Sequence, residues 1–219
     1  VNGATEVRTV RDALDMTGKV VVVTGGSRGV GRGVASRFLE AGAEVVVCGR
    51  NAPTELPRVG DREVVFMAAD VRDPEQTARF IDAVARRCGR IDVLVNNAGG
   101  SPPAEAATAS PRFTTAVVTL NLIAPLVVAQ RANAIMQEQD EGGSIINVAS
   151  VSGLRPSPGT AAYGAAKAGL LNLTQSLAIE WAPKVRVNAV TPGLVRTEQT
   201  ALHYGDEAGA LRVAATVPL

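Results

Sequence analysis

Short runs of β-branched residues alternate along this chain with longer helical patterns, and that alternation limits the possible folds more than any other feature. The runs are Val20–Val23, Val45–Val47, Val64–Met67, Val93–Val95, Ile145–Val148 and Val185–Val190. Most are continuously apolar, as expected of strands covered by helices on both faces, so the sheet they form should be parallel. Between them lie the helical stretches Gly31–Ala41, Pro74–Cys88, Pro111–Glu138 and Ala161–Trp181. Pro74 and Pro111 follow Asp73 and Ser110, which places each proline at a first helical position behind a capping side chain. Pro125 predicts a kink or interruption in the third helix. The expected fold is α/β, a single doubly wound (Rossmann-like) parallel sheet with helices on both faces. Residues 1–17 are expected to be a loosely attached arm and 18–219 one domain, with no internal repeat or linker.

Composition removes several functional classes. With 22 Lys and Arg against 21 Asp and Glu, the formal charge is +1, which argues against a nucleic-acid or membrane-surface binder. Aromatics at 3% leave little material for stacking bases. Cys48 and Cys88 are too few for a disulfide framework and read as reduced thiols, and with His203 as the single histidine no conventional zinc site is expected. The first nineteen positions lack the apolar core of a signal peptide. The most apolar stretch, Ala116 to Ala129, is broken by Thr119, Asn121 and Pro125. The expectation is a soluble, cytoplasmic protein.

Ligands of doubly wound sheets bind at the carboxyl ends of the strands, and the chemistry-bearing motifs fall there. Directly after the first strand comes Thr24-Gly25-Gly26-Ser27-Arg28-Gly29-Val30-Gly31, opening a helix. Glycines permit a tight turn and a close backbone approach, while the exposed N–H groups and the helix dipole favour a phosphate. The spacing differs from Gly-x-Gly-x-x-Gly, and Arg32-Gly33 stands where a P-loop needs Lys-Ser/Thr. Asp70 and Val71 follow the third strand, Asn96-Asn97-Ala98-Gly99 the fourth, and Pro192-Gly193, with Val195 and Thr197, the sixth. Ser150 closes the fifth, and Tyr163 and Lys167 stand at i and i+4 of a helix, on one face. Asn121 interrupts the apolar third helix.

In this order the motifs resemble those of the short-chain dehydrogenase/reductase family, over roughly Gly18 to Leu219. The resemblance implies a dinucleotide-binding catalytic domain acting on a small-molecule carbonyl or secondary alcohol. It implies cofactor contacts from Gly25, Ser27, Arg28, Gly29, Val30, Gly31, Arg50, Asp70, Val71, Asn97, Ala98, Gly99, Pro192, Gly193, Val195 and Thr197. Within them, Asp70 would hold the adenine amino group, and Val195 and Thr197 would meet the nicotinamide carboxamide. It also implies a catalytic tetrad of Asn121, Ser150, Tyr163 and Lys167, with Tyr163 and Lys167 touching the cofactor too. Members that prefer NAD carry an acid at the end of the second strand. Here Gly49 and Arg50 occupy that place, and with Arg28 they imply NADP(H), NAD(H) being the alternative.

Tyr163 would protonate the alkoxide left by hydride delivery. A free phenol titrates near 10, and a neighbouring ammonium favours the phenolate. Ser150 would hold the substrate oxygen and Asn121 a water linking Lys167 to solvent. Leu154, Leu194, Ala201, Leu202 and Tyr204 suggest an apolar substrate lining, with Arg155, Arg196 and His203 available to an acidic group; a 3-oxoacyl thioester is one candidate. The family also implies a homodimer or homotetramer. Its members continue through another helix and a seventh strand, whereas this sequence ends at Leu219, which leaves the sixth strand as an expected sheet edge. Two other readings stay open: a nucleotide-binding regulator with impaired catalysis, and a methyltransferase, which leaves the Tyr163/Lys167 pair unexplained.

Overall fold

Val20–Val23 alternate between two cores, and this single strand explains the layering. In the computed structural model, which describes residues 14–198, 200 and 206–215, β1 (Val20–Thr24) is buried along its whole length. Val20 and Val22 pack into one apolar cluster with Phe80, Ile81, Val128 and Met136, while Val21 and Val23 pack into a second with Ala35 and Leu39. A strand whose successive side chains both meet helices has no face left for water, so its sequence carries no polar alternation.

The remaining elements are α1 (Gly29–Glu40), β2 (Glu44–Gly49), a hairpin of β3 (Arg58–Val59) and β4 (Arg62–Glu63), β5 (Val65–Ala68), α2 (Pro74–Cys88), β6 (Val93–Asn96), α3 (Pro111–Val118), α4 (Ala124–Glu138), β7 (Gly143–Val148), α5 (Ala161–Glu180), β8 (Val185–Val190) and α6 (Glu207–Ala214). The main sheet is parallel, in the order β5-β2-β1-β6-β7-β8. That order reverses between β1 and β6, so the crevice for a ligand lies at their carboxyl ends. Among the described residues, β8 stands at the end of the sheet. Its residues alternate, Val185 and Val187 buried and Arg186 and Asn188 exposed, unlike the inner strands.

Local signals account for the helix boundaries. Asp73 caps α2 by accepting from the N–H groups of Glu75 (2.9 Å) and Gln76 (3.1 Å), and Gly89 ends the helix in the left-handed region. Ser110 caps α3 through Phe113 N–H at 3.2 Å. Between α3 and α4 the helix continues as a π-turn over Thr119–Ile123, where Ala124 N–H reaches back to the Thr119 carbonyl. The interruption expected at Pro125 thus appears as one widened turn just before it, since proline brings no N–H to the ladder. The hairpin and α6 carry no signal in the periodicity. Of the expected arm, residues 1–13 lie outside the described residues. Met16, however, donates its N–H to Ala41 at 2.7 Å and packs on the second cluster, so the end of that segment is docked.

Candidate active site

The glycine turn and the Asn97 segment are bound to each other across the order reversal. Thr24 Oγ1 accepts from the N–H groups of Asn97 and Ala98, both at 3.0 Å, and Asn97 Nδ2 donates to the Thr24 carbonyl at 2.9 Å. Gly25 and Gly29 adopt φ of 64° and 57°, a region that side chains other than glycine rarely tolerate. The turn therefore runs back over the end of β1 and aims the first N–H groups of α1 into the crevice. Ser27 and Val30 are half-buried there, while Arg28 and, after β2, Arg50 are exposed. A Cβ at Gly49 would lie 3.6 Å from Ser27 Oγ, so a side chain at this position would face the turn.

Asp70 follows β5, and its carboxylate is engaged by Arg72, with Nε at 2.9 Å and Nη2 at 2.5 Å. The Arg72 guanidinium holds this carboxyl below the usual aspartate range. Val71 beside it is buried.

The four expected catalytic residues come from three elements that meet at the carboxyl ends of β6 and β7. Lys167, 3% exposed, points its Nζ at the Val148 carbonyl (2.6 Å) and lies 5.7 Å from the centre of the Tyr163 ring. Burial lowers its pKa from the ordinary lysine value to about 8. Asn121 is fully buried in the π-turn. Its Nδ2 donates to the carbonyls of Gly100 and Val117, and its Oδ1 accepts from Gly100 N–H, each at 2.9 Å. Both Nδ2 hydrogens are thereby used, and a lone pair of Oδ1 remains. A Cβ on Gly99 would come within 2.7 Å of Asn121 Oδ1 and 3.3 Å of Lys167 Nζ, so these two polar groups flank Gly99.

Ser150 lies just past β7, capping a short 3₁₀ turn (Val151–Gly153) by accepting from Ser152 N–H at 3.2 Å. That turn is pressed backbone to backbone against α5. A Cβ at Gly153 would fall 2.7 Å from the Lys167 carbonyl carbon, and one at Gly164 would fall 2.9 Å from the Ser152 carbonyl oxygen. Val151 N–H donates to the Pro192 carbonyl at 3.1 Å, tying the Ser150 turn to the Pro192-Gly193 turn as well.

Around this mouth, Leu154, Leu194 and Val195 are exposed by 66%, 46% and 46%. Thr197 is half-buried, and its N–H donates to Thr200 Oγ1 at 2.8 Å. Arg196, expected to be available to an acidic substrate group, donates from Nη2 to both carboxylate oxygens of Glu207 at 2.8 and 2.9 Å. Ala201, Leu202, His203 and Tyr204 lie outside the described residues. Glu198, absent from the expected site, accepts from Gly29 N–H at 2.6 Å. No local pattern announces that contact, because its partner lies far away in the chain.

A family model described as short chain dehydrogenase matches residues 19–207. The chain is 35% identical over 209 residues to the 3alpha-hydroxysteroid dehydrogenase of Mediterraneibacter gnavus, covering 92% of this chain and 82% of that protein. It is 34% identical over 192 residues to the 3-oxoacyl-[acyl-carrier-protein] reductase of a Synechocystis species, covering 84% of this chain and 77% of that one. The RhlG/NADP active-site complex of Pseudomonas aeruginosa matches with a TM-score of 0.84 at 29% identity, over 94% of this chain and 84% of that chain. The chain belongs to the short-chain dehydrogenase/reductase family, oxidoreductases that use NAD(P)(H).

Proposed function

We propose that the protein is an NADP(H)-dependent oxidoreductase that interconverts a carbonyl compound and a secondary alcohol, with Tyr163 as general acid and base. The observation that carries this reading is the buried Lys167, whose nitrogen stands beside the Tyr163 ring on the same helix face. An ammonium withdrawn from water and held by one carbonyl interacts strongly with a developing phenolate.

The glycine turn fits the phosphates of a dinucleotide, because its Gly29 N–H already holds an anionic group, the Glu198 carboxylate. Exposed Arg28 and Arg50, with no acid at Gly49, support NADP(H) over NAD(H). Val30, Asn97, Ala98, Pro192 and Gly193 line the same crevice in this reading. The reduced nicotinamide, when bound, supplies a hydride. Ser150 Oγ, which accepts from Ser152 N–H, donates its own hydrogen to the substrate oxygen and steadies the charge that develops there. Tyr163 delivers the proton to that oxygen, and Lys167 stabilises the phenolate left behind. The Oδ1 lone pair of Asn121, beside Lys167, is positioned to hold a water for proton return.

The substrate is a carbonyl with an apolar body, of the 3-oxoacyl-thioester kind, supported by exposed Leu154 and Leu194 at the mouth. The assembly is a cytoplasmic homodimer or homotetramer. In support of self-association, only 33% of the most apolar 18 residues in the helical stretch 111–138 is buried within the chain. Its inner residues Val128, Ala132 and Met136 pack on the sheet, while Ile123 and, on α5, Ile179 are 45% and 81% exposed.

The test is a panel of ketones and acyl thioesters with NADPH and NADH, followed by nicotinamide absorbance. Turnover with NADPH at least about tenfold more efficient than with NADH is expected, since a bidentate guanidinium–phosphate contact contributes on that order. A preference for NADH would overturn the cofactor assignment, and no turnover of any carbonyl would overturn the reaction class.

A further inference from the structure

The turn that fits a pyrophosphate is occupied by a carboxylate of the chain itself. Gly29 N–H, at the first position of α1, donates to Glu198 Oε1 at 2.6 Å. That N–H is the main reason the Glu198 carboxyl titrates below the usual range, with Arg32 and Arg28 adding attraction. The segment bearing Glu198 is held on both sides. Thr197 N–H donates to Thr200 Oγ1 at 2.8 Å, and Arg196 pairs with Glu207 on α6. An N–H at a helix start can serve a carboxylate or a phosphate oxygen, but two anions cannot share it without strong repulsion.

We propose that Glu198 is an internal competitor for the pyrophosphate subsite, so that dinucleotide binding is an exchange: the carboxylate leaves the Gly29 amide and the diphosphate takes its place. The proposal rests on the cofactor reading above. It assigns to Glu198 a role opposite to that of an ordinary binding residue, because the side chain stabilises the ligand-free protein and weakens the ligand. Arg28 and Arg32, which attract Glu198 in the free protein, are released to the incoming phosphates. A residue that merely capped α1 would behave differently. Its removal would lower stability and leave anion affinity unchanged or reduced.

The experiment compares wild type, Glu198→Gln, Glu198→Ala and the remote, exposed Glu180→Gln. Dissociation constants for NADPH and NADH are read from nucleotide fluorescence, and inorganic pyrophosphate is titrated by its protection against thermal unfolding. Both Glu198 variants should bind both dinucleotides about two- to tenfold more tightly, the range for one partly exposed charge-assisted contact. The pyrophosphate midpoint should fall in the same proportion, and Glu180→Gln should match wild type. Equal or weaker binding by the Glu198 variants would overturn the proposal, as would an equal gain in Glu180→Gln. Should none of the four proteins bind a dinucleotide, the cofactor reading fails. The pyrophosphate titration then still decides: a lower midpoint in Glu198→Gln supports the exchange, and an unchanged or undetectable one overturns it.

Discussion

Lys167 Nζ stands 5.7 Å from the centre of the Tyr163 ring, one helical turn away, and is held there by the Val148 carbonyl at 2.6 Å. The carbonyl fixes the amine without neutralising it, and the Tyr163 ring stands beside that charge. Removing the phenolic hydroxyl therefore removes the proton donor while leaving the cation and the glycine turn in place. Tyr163→Phe should lower kcat by about a thousandfold. Its Kd for NADPH, measured by fluorescence titration, should stay within about twofold of wild type, since the turn that supplies the phosphate contacts is untouched. Near-normal turnover in this variant would end the general-acid assignment.

Burial of Lys167 gives the fold a distinct pH signature. Its pKa is lowered by desolvation to about 8, from an ordinary value of 10.5 that applies in the unfolded chain. Below about pH 8 both states carry the proton, and the folded state bears the full cost of a buried ammonium. Between about 8 and 10.5 the folded state has released a proton that the unfolded state still holds, so folding becomes more favourable as pH rises. Lys167→Met removes the titration and leaves a pH-independent offset from the unpaired Val148 carbonyl. Measured by urea unfolding, the stability of wild type minus that of Lys167→Met should be flat up to about pH 8 and climb above it. A difference that falls with pH would show that the amine is stabilised, not penalised, by its surroundings.

The close approach of the Ser150 turn to α5 makes Gly164 a positioning residue. A methyl group there meets the Ser152 carbonyl at 2.9 Å and Ser157 Cβ at 2.9 Å, so the turn must back away from the helix that carries Tyr163 and Lys167. Gly164→Ala should lower kcat by about tenfold to a hundredfold, the range in which small misplacements of reacting groups fall. Its cofactor affinity should be kept. The decisive readout is a cycle with Ser150→Ala. If Gly164 acts by placing Ser150, adding Gly164→Ala to Ser150→Ala costs little more, whereas a general structural defect would lower kcat by the same factor in both backgrounds.

Much of this architecture is readable in one dimension. The strands covered on both faces announce themselves by unbroken valine runs, and α2 starts where its Asp73-Pro74 pair indicates. The shared face of Tyr163 and Lys167 is helix geometry, independent of the rest of the chain. Harder to read are features that join distant segments. Asn121 in the π-turn meets Gly100 from 21 residues earlier, and Arg196 pairs with Glu207 on α6. The α6 helix and the β3–β4 hairpin are too short for periodicity to declare them.

The sequence by itself determined which segments are strands and helices, which motifs end each strand, and which residue types stand ready for proton and phosphate chemistry. These follow from side-chain period, capping and backbone freedom, all of which act over a few residues. Only the tertiary structure decided that burial lowers the Lys167 pKa to about 8, that both Nδ2 hydrogens of Asn121 go to Gly100 and Val117, and that Glu198 reaches Gly29. Desolvation and charge proximity depend on what the rest of the chain brings alongside a group, and the sheet order alone brings those partners together.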